Sequence, residues 1–325
     1  MLLTIAIPTF NRCNMLAKNV TELSMMIKNN DLINDVEILV SDNCSTDQTL
    51  SLIENIKNTF LDVSIRVFTN TENMGLTKNV LKALKESAGE YVMFLGDDDY
   101  ISESYLMHIL NLIQKGYGCI IPSYKNITLS GEETGRGRDL NCCSKSYKNG
   151  FFNCFMNSWR GHQLSGLVML KKNLYAQCIK ENINNLYPQI FMISYCCLHY
   201  ETYHLTDYPV LVTRPPQQSK NWGYGDDGLL TDVFDNYGKL KLTSLQRFLL
   251  EIKFLYAQYW RCAMYLKKGP IAFFKCLWKL MKSPKITMIN RILLIFEIPF
   301  IFLFQALRLL LSGNLLKTLK TKVDA

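Results

Sequence analysis

Short runs of continuous apolar residues alternate with stretches of helical spacing through the first 125 residues. Residues 3–8, 36–41, 63–69 and 91–95 read as strands, with 119–122 as a further one. Residues 13–28, 46–58, 75–87 and 103–114 carry the apolar periodicity of helices. Strands that do not alternate polar and apolar are covered on both faces, and helices between them supply the crossovers of a parallel sheet. The pattern therefore predicts an α/β domain, Rossmann-like and doubly wound, with a mostly parallel sheet. Ligands of such a sheet bind outside the carboxyl ends of its strands.

Residues 123–151 break this rhythm with four glycines and mixed charge, and read as a functional flap or a disordered insert. Beyond them, 167–170 reads as a strand, 172–180 and 189–200 as helices, and Pro215-Pro216 as a stop before a loop at 223–228. From residue 245 the texture changes. Residues 245–266 form a helix rich in Leu, Phe, Tyr and Trp, and 270–281 an amphipathic one studded with lysine. Residues 286–311 are mostly apolar but interrupted by Arg291, Glu297, Pro299 and Arg308. No apolar run reaches the roughly twenty residues that span a bilayer. The expected organisation is a domain over 1–244, in two halves at 1–125 and 126–244, followed by a basic helical tail at 245–325.

Charge sharpens that division. The whole chain carries a formal +8, yet residues 245–325 hold 14 Lys+Arg against 3 Asp+Glu while the remaining 244 hold 22 against 25. Lys267, Lys268, Lys275, Lys279, Lys282 and Lys285 are interleaved with Phe273, Phe274, Leu277 and Trp278, a composition suited to an anionic membrane surface. Packing on the α/β domain, or pairing in a homo-oligomer, is the competing destination for the tail. Basic residues set among Leu and Phe, with no RNA-binding aromatic motif or helix-turn-helix, argue against nucleic acid. Eleven cysteines without CxxC spacing fit reduced, packed thiols. Met1 leads straight into a strand, so the expectation is no signal peptide and a cytoplasmic protein, peripheral on the inner face of the membrane.

The chemistry gathers at the strand ends. One strand runs into Gly96-Asp97-Asp98-Asp99, and three adjacent carboxylates repel one another unless a cation sits among them. Oxygen-only ligands suit Mn2+ or Mg2+. Asp99 or Ser102 also fits the cap of the helix that follows, which would account for one acid. Strand one ends Pro8-Thr9-Phe10-Asn11, where Thr9 and Asn11 offer polar groups or simply cap a helix. Strand two ends at Asp42, ahead of the cap positions Ser45 and Thr46, where a carboxylate can accept from a base imide or a ribose hydroxyl. Lys78 and Asn79 sit in the first turn of a helix, a reasonable phosphate neighbourhood.

These blocks, TIAIPTFNR at 4–12, EILVSDNCSTDQT at 37–49, NTENMGLTKNV at 70–80 and GEYVMFLGDDD at 89–99, resemble the family 2 glycosyltransferases in order and spacing. That group has the GT-A fold, and its members acting on O-antigen and other surface polysaccharides look closest. The resemblance implies a nucleotide-sugar donor and a lipid-linked or oligosaccharide acceptor. By position, Pro8, Thr9 and Asn11 correspond to the loop around the nucleotide base, Asp42 to the carboxylate that reads it and Asp97 to the ribose contact. Asp98 corresponds to the principal metal ligand of the DxD motif, with Asp99 beside it. Many members draw a catalytic base from an acidic pair about twenty residues after a Gly-apolar strand, where this chain reads Tyr187-Pro188-Gln189. Gln189 cannot take a proton. His162 and Glu201 are the substitutes, ahead of Glu181, His199 and His204, and Trp159, Trp222 and Tyr224 are candidates to stack on a sugar. A nucleotidyltransferase, or a GT-A scaffold that has lost its base, are the alternative readings; Thr9–Cys13 lacks the glycine that the former expects.

Overall fold

β1 (Leu3–Thr9) lies at the centre of a parallel half-sheet because its side chains from Leu3 to Ile7 are almost wholly buried. The computed structural model describes residues 1–214 and 224–311. β1 pairs in parallel with β2 (Val36–Asp42) on one side and with β4 (Tyr91–Phe94) on the other, and β3 (Ser64–Thr69) extends the sheet beyond β2. The crossovers are α1 (Cys13–Asn29), α2 (Thr49–Thr59) and α3 (Gly75–Glu86). Leu16, Val20, Leu23 and Ile27 place the apolar stripe of α1 in the core with the inward residues of β1 and β2. After β4 comes α4 (Glu103–Gln114), then β5 (Cys119–Ile127).

The second half of the sheet departs from expectation. The stretch read as a flap or insert instead continues β5 to Ile127 and adds β6 (Glu133–Arg138) and β7 (Lys145–Tyr147). β6 pairs with β5 as an antiparallel ribbon, and its side chains are exposed up to Arg138, so no apolar pattern marks it. α5 (Phe151–Asn157) and a 3-10 turn (Ser158–His162) precede β8 (Val168–Leu170), and α6 (Leu174–Lys180) and α7 (Pro188–His199) precede β9 (Thr202–Thr213). The strand order is β3-β2-β1-β4-β8-β5-β9-β7, with β6 beside β5. β8 runs antiparallel between β4 and β5, while β9 is parallel to β5 and β7 antiparallel to β9. The sheet is therefore mixed, with β1 to β5 and β9 running one way and β6, β7 and β8 reversed. Because β8 is reversed, its start and the ends of β1, β2, β4 and β9 all reach one edge.

The chain divides into two compact units, Met1–Asn221 and Trp222–Ala325. The division falls ahead of residue 245 because α8 (Leu230–Gly238) packs on α9 (Ser244–Ala257), with Phe234 edge-on to Phe254 at 6.2 Å. The single helix expected over 245–266 is broken at Gln258 into α9 and α10 (Trp260–Lys267). α11 (Pro270–Lys282) and α12 (Met288–Leu311) follow, and α12 runs unbroken through Pro299. Leu294, Ile298 and Ile301 bury one narrow stripe of α12, and that packing outweighs the roughly 3 kcal/mol an interior proline costs a helix. Glu251, fully buried, joins α9 to α12 by accepting from Thr287 N and Oγ1 and from Asn290 Nδ2 at 2.9 Å. Among the described residues no helix is long and apolar enough to cross a membrane. Pro215, Pro216, Trp222 and residues 312–325 lie outside the described residues.

Candidate active site

The site forms where β1, β2, β4 and β9 end together. Thr9 and Asp42 are register partners across β1 and β2. β4 passes through Leu95 into Gly96-Asp97-Asp98-Asp99, and Ser102, not Asp99, caps α4 by accepting from Tyr105 N at 3.1 Å. All three acids are therefore free of the capping role. Gly96 is needed for their packing: a Cβ there would lie 2.9 Å from Asp99 Oδ2 and 3.2 Å from Ser165 Oγ. Asn19 of α1 fixes the loop by donating to the carbonyls of Gly96 at 3.0 Å and Asp99 at 2.8 Å.

Each aspartate faces different neighbours. Asp97 accepts from Thr9 Oγ1 at 2.8 Å and from Arg12 Nη1 at 3.1 Å. Asp98 accepts from the same Arg12 nitrogen at 2.8 Å, and is the most exposed of the three. Asp99 points the other way, accepting from Thr213 N at 2.8 Å, from Gln163 Nε2 at 3.3 Å and from Ser165 Oγ. Ser165 and Gln163 reach it because the 162–167 segment folds over β4, with Gly166 N donating to Phe94 O at 2.8 Å. Gly166 has φ +80°, and a Cβ there would meet Val210 Cγ2 at 2.5 Å. Any side chain would push this segment off the acids.

Burial pushes the Asp97 carboxyl up to about 6; Arg12 draws it back and the Asp98 charge adds to the rise. Burial, then the Asp98 charge, push Asp99 up to about 7 against the hydrogen bonds from Ser165 and Thr213. The triplet thus holds more negative charge than its surroundings neutralise, and its oxygens suit a hard divalent cation. Among the described residues no three His, Cys, Asp or Glu side chains form a ready cage. A cation held by one or two of these carboxylates would draw its other ligands from water or phosphate oxygens.

The remaining candidates divide. Asp42 is fully buried beneath the 43–47 turn, both its oxygens 3.2 Å from Ser45 N. Asn11, at φ 52°, pins that turn by accepting from Thr46 N at 2.8 Å. Pro8 is half-buried beside Ser41, and Lys78 is exposed on α3. Asn79 is corrected from a donor contact to a structural tie: its carbonyl accepts from Ser41 Oγ and Asn70 Nδ2 while its amide donates to Ser41 O, at 2.7, 2.9 and 2.9 Å. Glu201 is also corrected. It precedes β9, whose last residue, Thr213, is the one at the acids, so a dozen extended residues, roughly 35 Å, separate it from them. There it pairs with Lys148. His204 is unavailable too, since its Nε2 lies 3.2 Å from Asp139 within a buried cluster that includes Arg160 and Arg138. Burial depresses the His204 pKa against the pull of Asp139.

His162 Nδ1 lies 3.0 Å from the Trp159 carbonyl, which can only accept, so Nδ1 carries a proton, and Nε2 lies 3.4 Å from Tyr124 OH. The 3-10 turn that carries it abuts α7, where a Cβ on Gly161 would lie 3.1 Å from Gln189 O. Trp159 stacks flat on His162 at 6.0 Å, whereas Tyr224 lies against Trp260 in the second unit. Sequence reasoning missed Arg12, Gln163, Ser165 and Thr213. Their contacts span 64 to 115 residues, those of Arg12 included, and the position of Arg12 in the TFNR block was the available signal.

The strand tips of this sheet thus gather three acids and an arginine. The sequence signature of Glycosyl transferase family 2 matches residues 4–178, more than half of the chain, and the chain belongs to that family. It is 34% identical over 141 residues to the GalNAc(5)-diNAcBac-PP-undecaprenol beta-1,3-glucosyltransferase of Campylobacter jejuni, a match covering 42% of this chain and 43% of that protein. In fold it is similar to Staphylococcus aureus TarS 1-349 in complex with UDP-GlcNAc, with a TM-score of 0.66 and 19% identity over 91% of this chain and 87% of that one. The mannosyltransferase PcManGT of Pyrobaculum calidifontis, in complex with GDP-Man and Mn2+, aligns with a TM-score of 0.55 at 13% identity, covering 85% and 78% of the two chains. The sequence match to the Campylobacter enzyme thus spans less than half its length. The architecture is mixed α/β with a central sheet, similar to GT-A glycosyltransferases.

Proposed function

We propose that this protein transfers a sugar from a nucleotide-sugar donor to a lipid-linked or glycan acceptor in the synthesis of a surface polysaccharide such as O-antigen, and that the transfer depends on Mn2+ or Mg2+. The observation that carries the reading is the convergence of Thr9, Asp97, Asp98 and Asp99 on one edge of the sheet. Residues 1–244 form the catalytic part, with donor contacts chiefly in 1–125 and acceptor contacts in 126–244. Pro8, Thr9, Asn11 and Asp42 line the place of the base, Asp97 meets the ribose and Lys78 lies on the phosphate side. Asp98 holds the divalent cation, and Asp99, braced by Ser165 and Thr213, backs it. When bound, the cation neutralises charge building on the departing diphosphate. His162 accepts the proton of the attacking hydroxyl at Nε2, its tautomer set by the Trp159 carbonyl.

A thermal-shift series with UDP, GDP, CDP and dTDP, each with Mn2+, tests the donor reading. A ligand at a hundred times its Kd stabilises the native state by about 2.7 kcal/mol, so one nucleotide is expected to raise the melting temperature by several degrees. No shift with any of the four, with or without metal, defeats the reading.

The second unit supports a peripheral location on the cytoplasmic face of the membrane, where a lipid-linked acceptor is presented. Ile271, Phe274 and Trp278 of α11 are exposed, as are Ile292, Phe296, Phe300 and Leu303 of α12, and Lys275, Lys279 and Lys282 are exposed on α11. Lysines bordering bare aromatics favour an anionic bilayer, each adding about 1 kcal/mol near the surface. Co-sedimentation with phosphatidylglycerol vesicles is expected to exceed that with phosphatidylcholine at least tenfold, and to collapse in the Phe296→Asp, Phe300→Asp double variant. Equal binding to both lipids argues for a partner copy instead, which sedimentation velocity then reads out.

A further inference from the structure

Among the ion pairs of the described residues, those of the acid triplet are made with Arg12. A single nitrogen, Nη1, lies 3.1 Å from Asp97 Oδ1 and 2.8 Å from Asp98 Oδ2, so it sits between the carboxylates of two adjacent residues. That is where a shared cation relieves their repulsion best. The arginine side chain is 39% exposed and extends from the residue just before α1, so it has room to swing away. By contrast the hydrogen bonds on Asp99 come from a backbone amide, a serine and a glutamine, none of which carries charge.

We propose that Arg12 is an exchangeable counter-cation, which holds Asp98 in the metal-free protein and must be displaced before a divalent ion can bind there. The inference rests on the metal-dependent reading above. Its consequence is that Asp97 and Asp98 always have a cation between them, and that the arginine sets how much free metal is needed to load the site. A guanidinium gripping a carboxylate through a charge-assisted hydrogen bond is a genuine competitor, though one weakened by solvent.

Mn2+ binding without nucleotide, followed by the electron paramagnetic resonance signal of the free ion, tests this. Arg12→Gln is expected to bind Mn2+ about tenfold more tightly than the wild type, and Arg12→Lys, which keeps a point charge, within about threefold of it. Equal or weaker binding by Arg12→Gln overturns the proposal. Should that variant fail to fold, the wild type supplies a second readout: the Arg12 Nε–H resonance is expected to broaden by solvent exchange as Mg2+ is added. A resonance unmoved at saturating Mg2+ overturns the proposal as well. Asp98→Asn separates the two ideas. If it binds Mn2+ as well as the wild type, the metal assignment itself is wrong; if it does not bind while Arg12→Gln is unchanged, only the exchange is.

Discussion

Replacing Asp98 with alanine is expected to lower sugar transfer by at least a hundredfold to a thousandfold, about what removing one group that stabilises transition-state charge costs. The fold is expected to survive. Asp98 is the most exposed of the three acids, and its ion pair is with an arginine that is itself more than a third exposed. Such a pair contributes about 1 kcal/mol or less. Removing it also takes away the charge that raises both neighbours, since Asp98 pushes up the carboxyls of Asp97 and Asp99. The metal-free melting temperature should therefore stay level or rise slightly while activity disappears. Circular-dichroism melts run beside a product assay measure both. Activity within tenfold of the wild type would rule out Asp98 as the ligand.

Acidity provides the second large effect. Asp99 has a folded pKa of about 7 against an ordinary 3.8, and Asp97 about 6. A carboxyl whose pKa is raised by folding gives its stabilisation below the unfolded value and loses it as pH climbs through the folded one. The metal-free protein should thus lose stability between about pH 4 and 7, by roughly 4 kcal/mol from Asp99 as an order of magnitude. Metal binding runs the opposite way, because only the charged triplet attracts a cation; affinity should grow from pH 6 to 8. Asp99→Asn isolates the contribution. Its urea midpoint is expected to be offset at every pH, since Ser165 and Thr213 meet a different partner, but to show a flatter slope than the wild type. A wild-type midpoint that rises with pH at the same slope as the variant contradicts the burial of Asp99.

The first half of the fold was legible because β1, β2 and β4 are largely apolar runs that stop abruptly at Thr9, Asp42 and Asp97. Along their length these strands hold polar groups only where they are paired, as Thr4 is with Glu37, so the remaining polar letters mark where a strand ends and chemistry begins. The other half hid for physical reasons. β9 reads TYHLTDYPVLVT, with Asp207 and Pro209 at a register shift against β5, and neither its alternation nor its length stands out. β6, solvent-exposed along most of its length, carries almost no hydrophobic signal. Glu201 was misplaced because nearness in sequence to other polar residues says nothing about which end of a strand they occupy. Arg12 was passed over because a lone arginine ahead of a helix ordinarily faces water. The grip of Thr213 on Asp99, 114 residues away, is visible only once the sheet is closed.

The reversed strand between β4 and β5 has an evolutionary corollary. Its entry turn, 158–166, delivers Gln163 and Ser165 to the acids from a segment that contributes nothing to the parallel core under β1 and β2. On the proposed reading, a lineage can rewrite which hydroxyl is glycosylated by editing that turn while its grip on the activated sugar is inherited unchanged. New linkages could then arise by a handful of local substitutions, with no need to invent a new enzyme.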